Sequence, residues 1–166
     1  IILSRTDSIG DVILTLPLAG VIKERFPDSE VLFLGRTYTE AVVGCSDHID
    51  RFVNYDELLK LTEKEQLETI RGLQADAIIH VFPVPHIARL AKKARIPHRY
   101  GTTGRLYHWT SCNHRVRLSR KSSELHEAQL NIKLAEGITG VGLLHLEEIN
   151  NYCGFNKIPG LPKQLQ

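Results

Sequence analysis

The first seventeen residues, IILSRTDSIGDVILTLP, restrict the fold more than any other stretch of the chain. A short apolar run gives way to a polar elbow, and the elbow to an apolar-periodic segment that starts at Asp11. This order predicts a buried strand, a tight turn and a helix, the first half of a βαβ unit. Ser8 and Asp11 stand three residues apart at the predicted helix start, the spacing of a capping box with Asp in place of the usual Glu. Gly10 has no Cβ, so backbone or ligand can come close there. Asp11 falls at the positive end of the helix dipole, a favourable place for a carboxylate. Open α/β sheets also take their ligands beyond the carboxyl ends of parallel strands, which makes Asp11 a candidate for chemistry. An Asp in a first helical turn is equally what a plain cap looks like. With one glycine in the elbow, both the dinucleotide fingerprint and the P-loop pattern are absent.

The remaining chain repeats the alternation. A helix is expected over Asp11–Phe26, where Val12, Leu16, Ala19, Ile22 and Phe26 recur near helical spacing. Pro17 inside this run predicts either a kink or a regular helix beginning there. Further strands are expected at Glu30–Gly35, Arg51–Asn54, Ala75–Val81 and His98–Gly101, and helices at Thr37–Gly44 (from its T-x-x-E start), Leu61–Leu73 and Pro85–Ala94. Strands alternating with helices imply a Rossmann-like, doubly wound, mostly parallel α/β sheet. A strong helix over Ser122–Glu136 follows, with Gly137 as its stop. Gly137–Gly142 reads as a linker. The first domain is expected to span residues 1–142, with 143–166 a connector toward a further domain. The chain starts at Ile1 and contains no Met, which suggests a processed, trimmed or partial chain.

The 166 residues, 42% hydrophobic, suffice for one real core. The net charge of +2, from 21 basic and 19 acidic residues, makes no global demand for nucleic acid. Cys45, Cys112 and Cys153 are odd in number and widely spaced, as expected of reduced thiols in a cytoplasmic protein rather than a disulfide framework or zinc site. No apolar run is long enough to span a membrane. The charge is uneven locally. From Gly101 to Ser123 there is no acidic residue, while Arg105, Arg115, Arg117, Arg120 and Lys121 offer guanidinium and ammonium groups suited to phosphates or carboxylates. Tyr107 and Trp109 in the same segment suit stacking on a sugar or base, or anchoring a loop. The alternation R-V-R-L-S-R-K also fits the solvated face of an edge strand. His80 closes a predicted strand at the functional edge of the sheet. His126, at a helix start, is a capping or acceptor-site candidate, and no histidine pair has the H-x-x-x-H spacing of a helical zinc site.

These residues resemble the N-terminal half of glycosyltransferase family 9, the lipopolysaccharide heptosyltransferases. The likeness rests on R-T-D-S-I-G-D-V-I-L-T-L-P (Arg5–Pro17), K-E-R-F-P-D (Lys23–Asp28) and E-V-L-F-L (Glu30–Leu34). It continues through A-D-A-I-I-H (Ala75–His80), A-R-I-P-H-R-Y-G (Ala94–Gly101) and the run from Arg105 to Asn131. The resemblance implies one half of a GT-B enzyme, inverting and metal-independent, with no cofactor. Asp11 of the G-D-V motif would be its catalytic base. The acceptor would be a lipid-linked anionic sugar of the Kdo-lipid A type, with Ser8, Gly10, Arg105, Arg115, Arg117, Arg120, Lys121 and His126 as candidate binding residues. The donor, ADP-heptose, would bind a C-terminal domain that this sequence does not contain, so this half alone would be inactive. A lipid-linked acceptor also implies peripheral contact with the inner membrane from the cytoplasmic side. The competing readings are the acceptor domain of another GT-B glycosyltransferase, or a non-catalytic α/β module that binds an anionic partner through its basic loop while Asp11 merely caps.

Overall fold

The structure, a computed structural model, describes residues 1–118, 120 and 123–157. Its elements in chain order are β1 (Ile2–Ser4), α1 (Ile9–Ile13), α2 (Leu16–Arg25), β2 (Leu32–Gly35), a 3-10 turn (Thr37–Thr39), α3 (Glu40–Val43), β3 (Arg51–Asn54) and α4 (Tyr55–Leu58). There follow α5 (Glu63–Gly72), β4 (Ala77–His80), α6 (Pro85–Lys93), β5 (His98–Thr102), α7 (His108–Ser111), β6 (His114–Val116), α8 (Glu127–Leu134), α9 (Glu136–Thr139) and α10 (Leu146–Asn150). The strands form one six-stranded sheet in the order β3-β2-β1-β4-β5-β6, and each pairing is parallel. That order reverses direction between β1 and β4, the Rossmann switch point, where a crevice opens beyond the strand ends.

The continuous apolar strands follow from burial on both faces. Leu3, Phe33, Ile79 and Tyr100 pack with Val12, Leu16, Ala19, Ile22 and Leu134 from α1, α2 and α8. Their sequence neighbours Ile2, Leu32, Leu34 and Ile78 point the other way, onto Tyr55, Leu58, Ile70, Ile87 and Leu90 from α4, α5 and α6. The result is a three-layer sandwich.

Several boundaries differ from the expected ones for identifiable reasons. The segment Asp11–Phe26 is two helices, because Pro17 cannot donate to Ile13 and sits instead near the start of α2. Leu18 N–H donates to Thr15 O, so the Leu14 carbonyl is left for the side-chain amide of Asn131, which donates to it at 2.9 Å. Thr37 does not cap a helix: its hydroxyl reaches Asn54 and Asp56, so a 3-10 turn precedes α3. The last core helix begins at Glu127, capped by His126, rather than at Ser122, which lies outside the described residues. The helical run stops at Gly140, with φ +70°, not at Gly137, because α9 occupies the first part of the expected linker. A sixth strand, β6, lies inside the basic segment and pairs with β5 from Tyr100↔His114 to Thr102↔Val116.

Residues 143–157 pack against the domain. Ile149 joins Val21, Ala128 and Ile132 in a small core, and Ser46 bridges Phe155. A Cβ on Gly20 would meet the carbonyl oxygen of Tyr152 at 2.5 Å, so that packing requires glycine. Gly20→Ala is expected to release this tail while leaving the sheet intact, read as faster amide exchange confined to residues 143–157.

His80, at the end of β4, is fully buried, and neither ring nitrogen has a partner; Ser4 Oγ and His108 Nε2 nearby are also unpartnered. Burial first, then the neighbouring His108 and Arg99, pushes the His80 imidazole down from 6.5 to about 3. The unfolded chain therefore takes a proton between those values that the folded chain refuses. The His80 contribution is complete above pH 6.5 and is lost as pH falls toward 3, at about 1.4 kcal/mol per pH unit. His80→Leu is expected to reduce the acid slope of urea-unfolding free energies between pH 6.5 and 4.5. An unchanged slope would assign the acid sensitivity to other groups.

Candidate functional site

β1 ends at Ser4, and the next residue, Arg5, sits under the switch point with only 3% of its side chain exposed. Its backbone N–H donates to Leu34, and across the crevice Phe82 N–H donates to Ser4, so the loops after β1 and β4 are tied to the sheet. A buried guanidinium must find anions, and this one has three. Nε and Nη2 grip Asp7 through Oδ1 and Oδ2 at 2.7 and 2.9 Å. Nη1 reaches Glu127 Oε1 at 2.7 Å, and Nη2 reaches Asp11 Oδ1 at 3.0 Å. Glu127 comes from the first turn of α8, where the helix dipole favours it.

Asp11 stands in the first turn of α1, its side chain 38% exposed. Ser8 is the N-cap: its Oγ accepts from Asp11 N at 3.2 Å and donates to Asp11 Oδ2 at 2.7 Å. The reciprocal half of the cap thus ends on the serine hydroxyl instead of its backbone N–H. A Cβ on Gly10 would meet nothing nearer than Ser8 Oγ at 3.9 Å, which leaves the space over this helix start open.

Arg120 completes the group. Its guanidinium pairs with Glu127 and donates to Val81 O at 2.9 Å and to Asn131 Oδ1 at 3.2 Å. Burial, and next the positive charge of Arg5, push Arg120 down to about 10, so it remains a cation at neutral pH. Asn131 is wholly buried and faces Arg5, Arg120 and the α1–α2 break at once. Above these residues lies an open cleft of ≈ 490 Å³, walled also by Phe82, Pro83, Thr102, Gly104 and Arg105.

Of the sequence candidates, the fold brings Asp11, Arg105 and Arg120 to this cleft, with Ser8 bonded to Asp11. Arg115 and Arg117 project elsewhere from the edge of the sheet: Arg115 donates to Cys112 O and stacks 4.9 Å over Trp109, and Arg117 is exposed. His126 is exposed and spends Nδ1 on capping Ala128 N. Lys121 lies outside the described residues. Arg5, Asp7, Glu127 and Asn131 were not singled out from sequence, though two signals were present. A charged residue directly after a buried strand requires nearby counter-charges, and Glu127 and Asn131 share one helix face at i, i+4. Among the described residues no three His, Cys, Asp or Glu side chains form a metal-holding group, and no helix is long and apolar enough to cross a membrane.

No protein-family model and no curated protein sequence matches the chain. Among solved structures it is similar to the family 9 glycosyl transferase from Veillonella parvula DSM 2008, with TM-score 0.67 and 22% identity, covering 81% of this chain and 39% of that one. It is similar to E. coli ADP-heptose lps heptosyltransferase II, with TM-score 0.65 and 18% identity, covering 81% and 39%. It is also similar to E. coli heptosyltransferase WaaC with ADP, with TM-score 0.68 and 18% identity, covering 86% and 48%. The chain spans less than half the length of each of these three structures. Over that span it has the α/β fold found in these glycosyltransferases.

Proposed function

We propose that the chain is the acceptor-binding half of a GT-B glycosyltransferase that moves a heptose from ADP-heptose onto the inner core of lipopolysaccharide, and that it is inactive without a donor-binding domain. The observation that carries this reading is Asp11: a partly exposed carboxylate, held at the switch point, facing a cleft that also presents Arg105 and Arg120. The likeness to heptosyltransferase structures supports the choice of reaction. Asp11 accepts the proton of an acceptor hydroxyl as that oxygen bonds to the anomeric carbon. The bond from that carbon to the diphosphate oxygen breaks on the opposite face, inverting the centre. The leaving group departs as a nucleoside diphosphate, and no metal or cofactor is required. Arg105 and Arg120 meet the carboxylates of a Kdo-type acceptor by charge-assisted hydrogen bonds.

The reading places the protein on the cytoplasmic side, touching the inner membrane that carries its acceptor. The outward basic residues Arg115 and Arg117 support this, as do Leu106 and Trp109, 88% and 57% exposed on the same segment. Vesicles with anionic lipid should co-sediment the chain in a salt-sensitive way, and Leu106→Asp should weaken that binding; sedimentation indifferent to anionic lipid would exclude the contact.

In the full-length protein, Asp11→Asn should lower turnover by about 10²-fold or more, the scale of general-base catalysis, while acceptor binding persists. Turnover unchanged by Asp11→Asn would leave Asp11 as a cap and overturn this mechanism. Arg105→Gln should raise the acceptor KM roughly tenfold, equivalent to ~1.4 kcal/mol. An acceptor KM unmoved by that change would remove Arg105 from the binding surface.

A further inference from the structure

We infer that Arg5 is a positioning residue for the Asp11 carboxylate, an assignment that rests on the base role of Asp11 given above. Arg5 does not depend on Asp11 to hold its own place. The planar fork is fixed on one edge by both oxygens of Asp7 and at Nη1 by Glu127. These two anchors come from opposite ends of the chain, one on the β1–α1 elbow and one on α8. What remains is the ion pair between Nη2 and Asp11 Oδ1, 3.0 Å apart. Ser8 Oγ takes the other oxygen at 2.7 Å. A guanidinium against one oxygen and a hydroxyl hydrogen-bonded to the other hold the carboxylate against turning about its last torsion. A carboxylate has about four lone-pair sites, so these contacts leave sites for an acceptor hydroxyl.

The charge distribution favours holding the carboxylate in place over stabilising its charge. Arg5 already shares its positive charge with Asp7 and Glu127, so Asp11 is the third claimant on one cation. The geometry also explains why arginine stands here. A lysine offers one ammonium centre and cannot occupy Asp7, Glu127 and Asp11 along three directions of a rigid plane. Lysine at this position keeps the charge and loses the aim. Misplacing a reacting group by about 1 Å costs on the order of 10²-fold in rate.

The test is a double-mutant cycle in the full-length protein, with ADP-heptose and Kdo-lipid A as substrates and the melting temperature of every variant recorded. Arg5→Lys is expected to lower kcat by about 10²-fold with little change in acceptor KM. The double variant Arg5→Lys/Asp11→Asn is expected to be no slower than Asp11→Asn alone, because a carboxylate already lost cannot be misaimed. A merely structural Arg5 would lower kcat by the same factor in both backgrounds, and that outcome overturns the assignment. Full kcat in Arg5→Lys overturns it as well. Full kcat in Asp11→Asn overturns the base role and the positioning role together, so the two failures are told apart. Should Arg5→Lys fail to fold, Asp7→Asn serves in its place. It loosens the fork that fixes Arg5 without altering either partner of the Arg5–Asp11 ion pair, and should lower kcat only where Asp11 is present.

Discussion

A guanidinium has been placed where almost no water reaches it, at the end of the first strand, and the architecture around it answers that cost. A buried charge is tolerable only when paired and hydrogen-bonded, and removing one partner of such a pair typically costs ~3–5 kcal/mol. Arg5 recruits Asp7 from its own elbow, Asp11 from α1 and Glu127 from α8. Residues more than a hundred positions apart are thereby brought to one point of the sheet. Arg120 attaches to the same Glu127 and to Val81 at the end of β4, so both sides of the switch point are bound into one network. Leu3, packed in the core two residues before Arg5, holds the strand that delivers it.

The network also accounts for the broken helix. Pro17 has no N–H for Ile13, and with Leu18 N–H turned to Thr15 O the Leu14 carbonyl has no helical partner. Asn131 supplies the missing donor through its amide nitrogen, while its amide oxygen accepts from Arg120 and Arg5. One buried side chain thus couples the end of α1 to the two guanidiniums. The break keeps α1 to a little over one turn, with its exposed start, Ser8 to Asp11, at the mouth of the cleft. The cleft itself balances three guanidiniums, Arg5, Arg105 and Arg120, against three carboxylates, Asp7, Asp11 and Glu127. Its charges are not equivalent: Arg5 is enclosed by anions, whereas Arg105 is exposed.

The basic segment shows how one stretch can serve two surfaces. Pairing with β5 turns Val116 inward with Leu118 packed on the main core, while Arg115 and Arg117 alternate to the outside. The arginines near the cleft, Arg105 and Arg120, lie on the loops either side of this strand rather than on it. Composition carries no direction, so in the sequence these arginines form one group. Of the edge-strand alternation expected over R-V-R-L-S-R-K, β6 contains Arg115 and Val116, while Arg120 lines the cleft.

By itself, the sequence determined the elements whose signals are local. Apolar runs fixed β1, β2 and β4, and the elbow with Ser8 capping Asp11 follows from spacing along three residues. Only the tertiary structure decided which charges meet. Arg5 and Glu127 lie 122 residues apart, and Asn131 closes a helix break that begins near residue 14. No spacing rule links such positions, because their contact depends on strand order and on which face of α8 turns inward. Local backbone preference set the strands and helices, and the need to neutralise a buried cation set how the elements beside the cleft are joined.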